Sequence, residues 1–298
     1  MHIYNGFVNI YICKRLYRKK EKMEIFIDSA NLDEIKEVKD YGILDGVTTN
    51  PSLIRTEVEK LRSKGKKADI ESYIKDILKI SRSIRVSLEV VGIDFKEMIK
   101  EALILYKKFN KIAKNVYIKI PVDPCLETVC TNEADGIKAI KYLSNKKIPI
   151  NCTLIFTPEQ AFLAAKAGAK IVSPFSGRED DYIREINRIR FKKEDYFPAK
   201  GIKRWGKIFD DNGIVSGVDL IKKCREMFNL QNIKSEILAA SIRNARQFRE
   251  VALAGADIAT MPFSVIKELF RHNKTVEGMR RFTEDVTEEY ARIAGMKK

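Results

Sequence analysis

A chain of 298 residues, 45% of them hydrophobic, can bury one large core or two smaller ones without disulfide or metal staples. No apolar run approaches the ~20 residues of a bilayer span, and His2 and His272 are the only histidines, so histidine catalysis and histidine-rich metal sites are not expected. Five scattered cysteines fit a reducing, cytoplasmic setting, and the net charge of +15 admits an anionic substrate or a nucleic-acid partner.

Residues 1–22, MHIYNGFVNIYICKRLYRKKEK, place an apolar part before a basic part, the reverse of a secretory signal. The segment reads as an extension ahead of a working start at Met23. The competing reading is a short basic anchor to membrane or nucleic acid. From Met23 to Lys298 one domain is expected, in which short β-rich runs alternate with amphipathic stretches. The runs are EIFIDS (24–29), GVTTN (46–50), VSLEVV (86–91), NVYIKIPV (115–122), INCTLIF (150–156), KIVSPF (170–175), ILAASI (237–242) and DIATMPF (257–263). Between them lie helical patterns such as NLDEIKEVKDYG, with Leu32, Ile35 and Val38 on one face. Helix starts are expected at Asp28-Ser29, Asn50-Pro51 and Thr157-Pro158, and helix stops at Gly42, Gly168 and Gly255. Eight strand-helix units predict a parallel sheet closed into a single (β/α)8 TIM barrel. The runner-up, a doubly wound open sheet, lacks its glycine-rich fingerprint, because the first strand is followed by IDSANLDE.

In such a barrel the active site lies at the C-terminal ends of the strands. The polar residues there are Asp28, Thr48 to Asn50, Glu89, Lys119, Asn151 with Thr153, Ser173 with Arg178, and Ser241 with Arg243. Single residues of this kind are ordinary helix caps, strand ends or surface ion pairs. Lys119 is the exception within its strand, set among Val116, Ile118 and Ile120. It either ends the strand in solvent or is a desolvated amine nucleophile. A ring of one lysine, two carboxylates, two arginines and several amides and hydroxyls favours the second reading and suits a phosphorylated carbonyl sugar.

These motifs, FIDSANLDEIKEV, GVTTNPSLI, VSLEV, IKIP, INCTLIFTPEQAFLAAKAGAKIVSPFSGR, AASIRNARQ and ALAGADIATMPFSVI, followed by HNKTVEGMRRFTED, resemble the transaldolase family from about Met23 to Asp285. The resemblance implies a barrel enzyme with no cofactor and no metal, using Lys119 as a Schiff-base lysine in an apolar and cationic environment. It makes Asp28 the acid/base and Glu89 the carboxylate that works on water with Thr153. Asn50, Asn151 and Ser173 would hold a dihydroxyacetone unit, while Arg178, Arg243 and Ser241 would grip the distal phosphate. The implied reaction passes that unit from sedoheptulose 7-phosphate to glyceraldehyde 3-phosphate, giving erythrose 4-phosphate and fructose 6-phosphate, within the pentose phosphate pathway. The implied partners are sugar phosphates and further copies of the chain, with no nucleic acid and no membrane.

The alternative is the fructose-6-phosphate aldolase branch, which releases dihydroxyacetone and typically carries glutamine at Glu89 and tyrosine at Phe175. A non-catalytic basic binding protein on the same scaffold is the third reading. Two insertions depart from the compact pattern. Residues 123–134, DPCLETVCTNEA, are expected to overhang the site with Cys125 and Cys130 as free thiols. Residues 182–216, rich in basic residues and holding Trp205, read as a solvated helix and loop.

Overall fold

The computed structural model describes residues 22–127 and 130–296. Its strands are β1 (Glu24–Asp28), β2 (Gly46–Thr48), β3 (Arg85–Glu89), β4 (Val116–Pro121), β5 (Ile150–Ile155), β6 (Ile171–Pro174), β7 (Lys203–Arg204), β8 (Lys207–Ile208), β9 (Glu236–Ala239) and β10 (Ile258–Met261). The helices are α1 (Leu32–Asp40), α2 (Pro51–Ser63), α3 (Ile70–Ile80), α4 (Phe95–Ala113), α5 (Asp135–Asn145), α6 (Pro158–Ala167), α7 (Ser176–Ile186), α8 (Gly217–Leu230), α9 (Ala245–Ala254), α10 (Phe263–Glu268), α11 (Asn273–Glu284) and α12 (Glu288–Ile293). Eight strands close into a barrel in the order β1-β10-β9-β6-β5-β4-β3-β2, every neighbouring pair parallel. Closure excludes the open sheet. Apart from Lys22, the expected N-terminal extension lies outside the described residues.

Alternation along the strands sends side chains to two separate cores. Ile27, Val47, Val86, Val116, Ile118, Ile120, Ile150 and Met261 pack outward with helix residues such as Ile35, Ile77, Met98 and Ile140. Full burial of each such side chain stabilises the fold by about 1.5–3 kcal/mol. A second, smaller core of Phe26, Ile171, Leu238, Ala240 and Ile258, with Tyr117 and Phe175 against it, fills the barrel itself. Val116, Ile118 and Ile120 therefore face the helices, and Lys119 shares the opposite row with Tyr117. The lysine is not an intruder in that apolar row but belongs to the other face.

At the N-terminal end of the barrel Arg85 is ion-paired with Glu24 and with Glu236, the latter at 2.6 Å. Its guanidinium lies 5.1 Å from the centre of the Phe26 ring. Gly46 leaves room for that ring, because a Cβ there would stand 2.4 Å from it.

Several local expectations are corrected. The first helix is capped by Asn31, whose side chain accepts from the amides of Asp33 and Glu34, and not by Asp28-Ser29. Asn50 caps α2 and Thr157 forms a capping box with Gln160 on α6, as expected. The stretch 182–216 is not simply solvated: it buries Ile183 and Arg184 at the end of α7 and Phe197 and Ile214 beyond it, while the hairpin of β7 and β8 carries Trp205, 90% exposed, at its turn. Cys125 and Cys130 are paired with each other, not free, while Cys152 and Cys224 are buried free thiols. Among the described residues no helix is long and apolar enough to cross a membrane.

Candidate active site

Strand by strand, the inward row turns polar towards its C-terminal end. Phe26 is followed by Asp28, Arg85 by Ser87 and Glu89, Tyr117 by Lys119, Ile171 by Ser173, and Ile258 by Thr260. Because all the strands run in one direction, these residues converge at a single mouth.

Lys119 is only 7% exposed. Strand register sets it opposite Glu89 on one side and Asn151 on the other. Its Nζ lies 3.0 Å from Glu89 Oε2 and 3.5 Å from the Thr49 carbonyl oxygen. The expected cationic surrounding is thus replaced, at contact distance, by a carboxylate. A buried amine without such a partner would cost several kcal/mol in lost hydration.

Asp28 ends β1 and accepts a 2.7 Å hydrogen bond from Thr48 Oγ1, which lies 2.6 Å from Thr260 Oγ1. Its helix-cap reading is removed, since Asn31 performs that task. Asn50 spends its carbonyl oxygen on the Leu53 amide at 2.9 Å and keeps its amide group as a donor.

Asn151 and Ser173 are both buried and bonded to each other, Ser173 Oγ donating to Asn151 Oδ1 at 2.5 Å. The Asn151 amide in turn donates to Ser87 Oγ at 3.1 Å. Beyond Asn151 the pairing of β5 with β6 slips by one residue between Cys152 and Ile155, and Leu154 takes a φ of 58°. Such a bulge re-aims neighbouring side chains. Beside it, Thr153 is 0% exposed and its hydroxyl has no hydrogen-bond partner among the described residues. Ser87 and Thr260 escaped the sequence reading. The signal for Ser87 was period-two spacing from Glu89, already placed at the strand end; Thr260 follows Ile258, whose inward position only the structure shows.

The opposite rim is built from β6, α7 and the turn after β9. Gly177 packs against that turn so closely that a Cβ would lie 2.0 Å from the Ser241 carbonyl oxygen and 2.6 Å from Arg243 Nε. Ser241 holds φ at 62°, an uncommon conformation for a residue with a side chain. Arg243 Nη2 is paired with Asp181 at 2.7 Å, while its buried Nε has no hydrogen-bond partner among the described residues. The surface-ion-pair reading therefore holds for one end of Arg243 only. Arg178 is exposed, sits 5.1 Å above the Phe175 ring, and has no ion pair among the described residues. Phe175 packs in turn on Phe156, ring centres 5.8 Å apart.

Next to these arginines α7 carries two perturbed acids. Burial, reinforced by Asp211 and Asp180, pushes the Glu179 carboxyl up to about 8, and neither of its oxygens has a hydrogen-bond partner among the described residues. Burial also pushes Asp180 up to about 7, although the Gly217 amide and the Gln247 side chain donate to it at 2.7 Å each. Cavities flank the ring on two sides. One of 310 Å³ borders Asp28, Glu34, Glu57 and Lys60, and one of 420 Å³ borders Phe156, Arg178, Asp181 and Asp211. A donor set suited to a metal ion, Asp123 with Cys125 and Cys130, lies outside the ring.

Comparison with known proteins shows the family. The family described as Transaldolase/Fructose-6-phosphate aldolase matches residues 25–297. A "Probable transaldolase" of Thermoplasma acidophilum is 41% identical over 88% of this chain and 95% of its own length. Proteins of the same description from Leptospira biflexa and Bacteroides thetaiotaomicron are 39% and 41% identical, each over 88% of this chain and 97% of their own. With the match running through every strand of the barrel, the chain belongs to the transaldolase/fructose-6-phosphate aldolase family and is an enzyme of the aldolase and transferase kind.

Proposed function

We propose that the protein is a transaldolase that carries a dihydroxyacetone unit on Lys119 between sugar phosphates. The observation that supports this most strongly is the buried Lys119 amine, 3.0 Å from Glu89 and in register with Asn151 at the barrel mouth. Glu89 takes one proton from the Lys119 ammonium, and the free amine attacks the ketose carbonyl. A second proton passes from nitrogen to the new alkoxide to give the carbinolamine, and Glu89 returns its proton to that hydroxyl, which leaves as water. The unpartnered Thr153 hydroxyl holds that water beside Glu89. Asp28, oriented by Thr48, then removes the proton from the hydroxyl beyond the bond that breaks. The iminium takes up the bonding electrons, an aldose phosphate departs, and a three-carbon enamine stays on Lys119 until it attacks a second aldose phosphate.

Asn50, Asn151 and Ser173 are the proposed contacts for the three-carbon unit, Asn50 through its amide protons. Arg178, Arg243 and Ser241 are the proposed phosphate grip, with guanidinium groups forming charge-assisted bonds to phosphate oxygens. Phe175, which has no acidic proton to give the enamine, supports transfer to an aldehyde over release of free dihydroxyacetone. Sedoheptulose 7-phosphate as donor, a place in the pentose phosphate pathway and a cytoplasmic setting belong to the same proposal. So does self-association: α11 and α12 bury no residue and expose Val276, Met279, Phe282 and Ile293, an apolar face suited to a second copy.

Borohydride reduction with fructose 6-phosphate as sole substrate tests the central step. The expected product is one dihydroxyacetone unit on Lys119, lost when erythrose 4-phosphate is added before reduction. The absence of any lysine adduct would remove the Schiff-base reading.

A further inference from the structure

We propose that Asp123, Cys125, Cys130 and Glu133 form a binding site for one thiophilic divalent cation of the zinc class, open when the cysteines are reduced. The ligand atoms of Asp123, Cys125 and Cys130 all lie within 4.8 Å of one another. Glu133 Oε2 stands 3.9 Å from Cys130 Sγ, and Asn132 Oδ1 stands 3.7 Å from Cys125 Sγ. In a tetrahedral zinc site, metal–ligand bonds of ~2.0–2.3 Å put neighbouring donor atoms roughly 3.5–3.8 Å apart. Asp123, Cys125 and Cys130 thus come within about an ångström of that spacing once the two sulfurs are separate, and Glu133, already beside Cys130, is the fourth ligand proposed.

In the structure the pair is joined, with Cα atoms 6.3 Å apart. A disulfide alone gives no reason for the carboxylates. A redox-active pair works through a thiolate, which cationic neighbours favour. Here the charged groups gathered around the sulfurs are Asp123 and Glu133, which oppose that anion. A divalent cation reverses the argument, because two thiolates and two carboxylates then become four ligands for it. Two sulfurs exclude hard cations such as magnesium or calcium and select zinc or its substitute cobalt. The joined state is the oxidised form. A dithiol reductant, itself closing to a disulfide, converts it to two thiols, and the cation displaces the two thiol protons as it binds.

The position gives the site a consequence for the mouth. Asp123 follows closely on Lys119 as the chain leaves β4, and the cluster ends just before α5. The Asn132 amide already ties this segment to the Ile93 carbonyl at 2.6 Å. A cation held by Asp123 and Cys125 on one side and Cys130 and Glu133 on the other would join the chain leaving β4 to the chain entering α5. The inference stands apart from the transaldolase proposal, since none of its ligands takes part in that chemistry.

The test uses the full-length protein reduced with dithiothreitol, freed of it under argon, and titrated with cobalt(II). The expected result is one equivalent bound, with the visible bands of tetrahedral cobalt and an ultraviolet thiolate-to-cobalt band. The double variant Cys125→Ser, Cys130→Ser should lose both. Asp123→Asn should keep the thiolate band while weakening binding about tenfold or more. Zinc should slow amide exchange in residues 123–134 of the wild type and leave the double variant unchanged. The proposal is overturned if the reduced wild type shows no tetrahedral bands, if the double variant retains them, or if Cys125 and Cys130 remain joined after reduction.

Discussion

Lys119 and Glu89 face each other across β3 and β4, with Nζ 3.0 Å from Oε2 in a pair that strand register alone brings together. A carboxylate at that distance both compensates the buried amine and is placed to take its proton. Glu89→Gln is expected to keep the fold and to lower the rate of borohydride-trappable adduct formation by about 10²–10⁴-fold, the usual loss when a positioned acid/base is removed. Rapid-quench trapping with fructose 6-phosphate measures it, and an unchanged rate would assign Glu89 a purely structural task.

Asp28 accepts from Thr48 and makes no helix cap, so its removal should spare imine formation. Asp28→Asn is expected to form the Lys119 adduct with fructose 6-phosphate while turnover to the transfer product falls at least about 10²-fold. Intact mass after reduction, compared with product release, separates the two steps. Loss of the adduct along with turnover would place Asp28 earlier in the reaction.

Phe175 lies between Arg178 and Phe156, on the rim of the mouth. Phe175→Tyr adds a hydroxyl whose proton the enamine can take. The expected outcome is an increased ratio of free dihydroxyacetone to transfer product, read by a coupled assay with and without erythrose 4-phosphate. A constant ratio would show that this position does not decide the fate of the enamine.

Arg243 is held by Asp181 while its Nε has no partner among the described residues, an arrangement that presents one edge of the guanidinium to an anion. Arg243→Lys is expected to raise KM for fructose 6-phosphate by roughly 10–150-fold, the equivalent of ~1.5–3 kcal/mol for a bond to a charged group. The KM of unphosphorylated fructose should stay within about twofold. Equal losses for both sugars would point to misfolding of the turn after β9.

Glu179, held up to about 8 by burial and by the neighbouring anions of Asp211 and Asp180, makes stability depend on pH. The folded state keeps a proton there that the unfolded chain gives up in the ordinary carboxylate range. Stability from this group is therefore present at low pH and is lost as pH rises from about 4.5 towards 8. Glu179→Gln should narrow the fall in Tm between pH 6 and pH 9 by roughly 5 °C. Asp180, raised to about 7, maintains the remainder. Thermal unfolding at the two pH values decides, and an undiminished fall would mean that Glu179 is ionised and solvated in the folded protein.

Period-two and period-3.6 patterning made the barrel legible, since hydrophobic strands and amphipathic helices follow from burial on two sides. The candidate ring was legible because polar residues at buried strand ends stand out against that pattern. What the pattern hid was pairing. The inward row of β4 holds Tyr117 and Lys119, but sequence alone left the lysine among the outward isoleucines, because period two does not say which face is inside. The bulge at Thr153 and Leu154 is a register slip between strands, with no local signal. Neither the pairing of Cys125 with Cys130 nor the shared bond of Asn151 with Ser173 follows from spacing, since both depend on side-chain approach in three dimensions.

The Arg85 ion pairs to Glu24 and Glu236 tie β1, β3 and β9 together at the end of the barrel remote from Lys119. Three strands far apart in the chain are thus fastened where no substrate arrives. The end that carries Lys119 is then relieved of keeping the barrel shut, so segments as long as 182–216 and as unusual as 123–134 can vary in length and sequence without loosening the cylinder that aims the lysine.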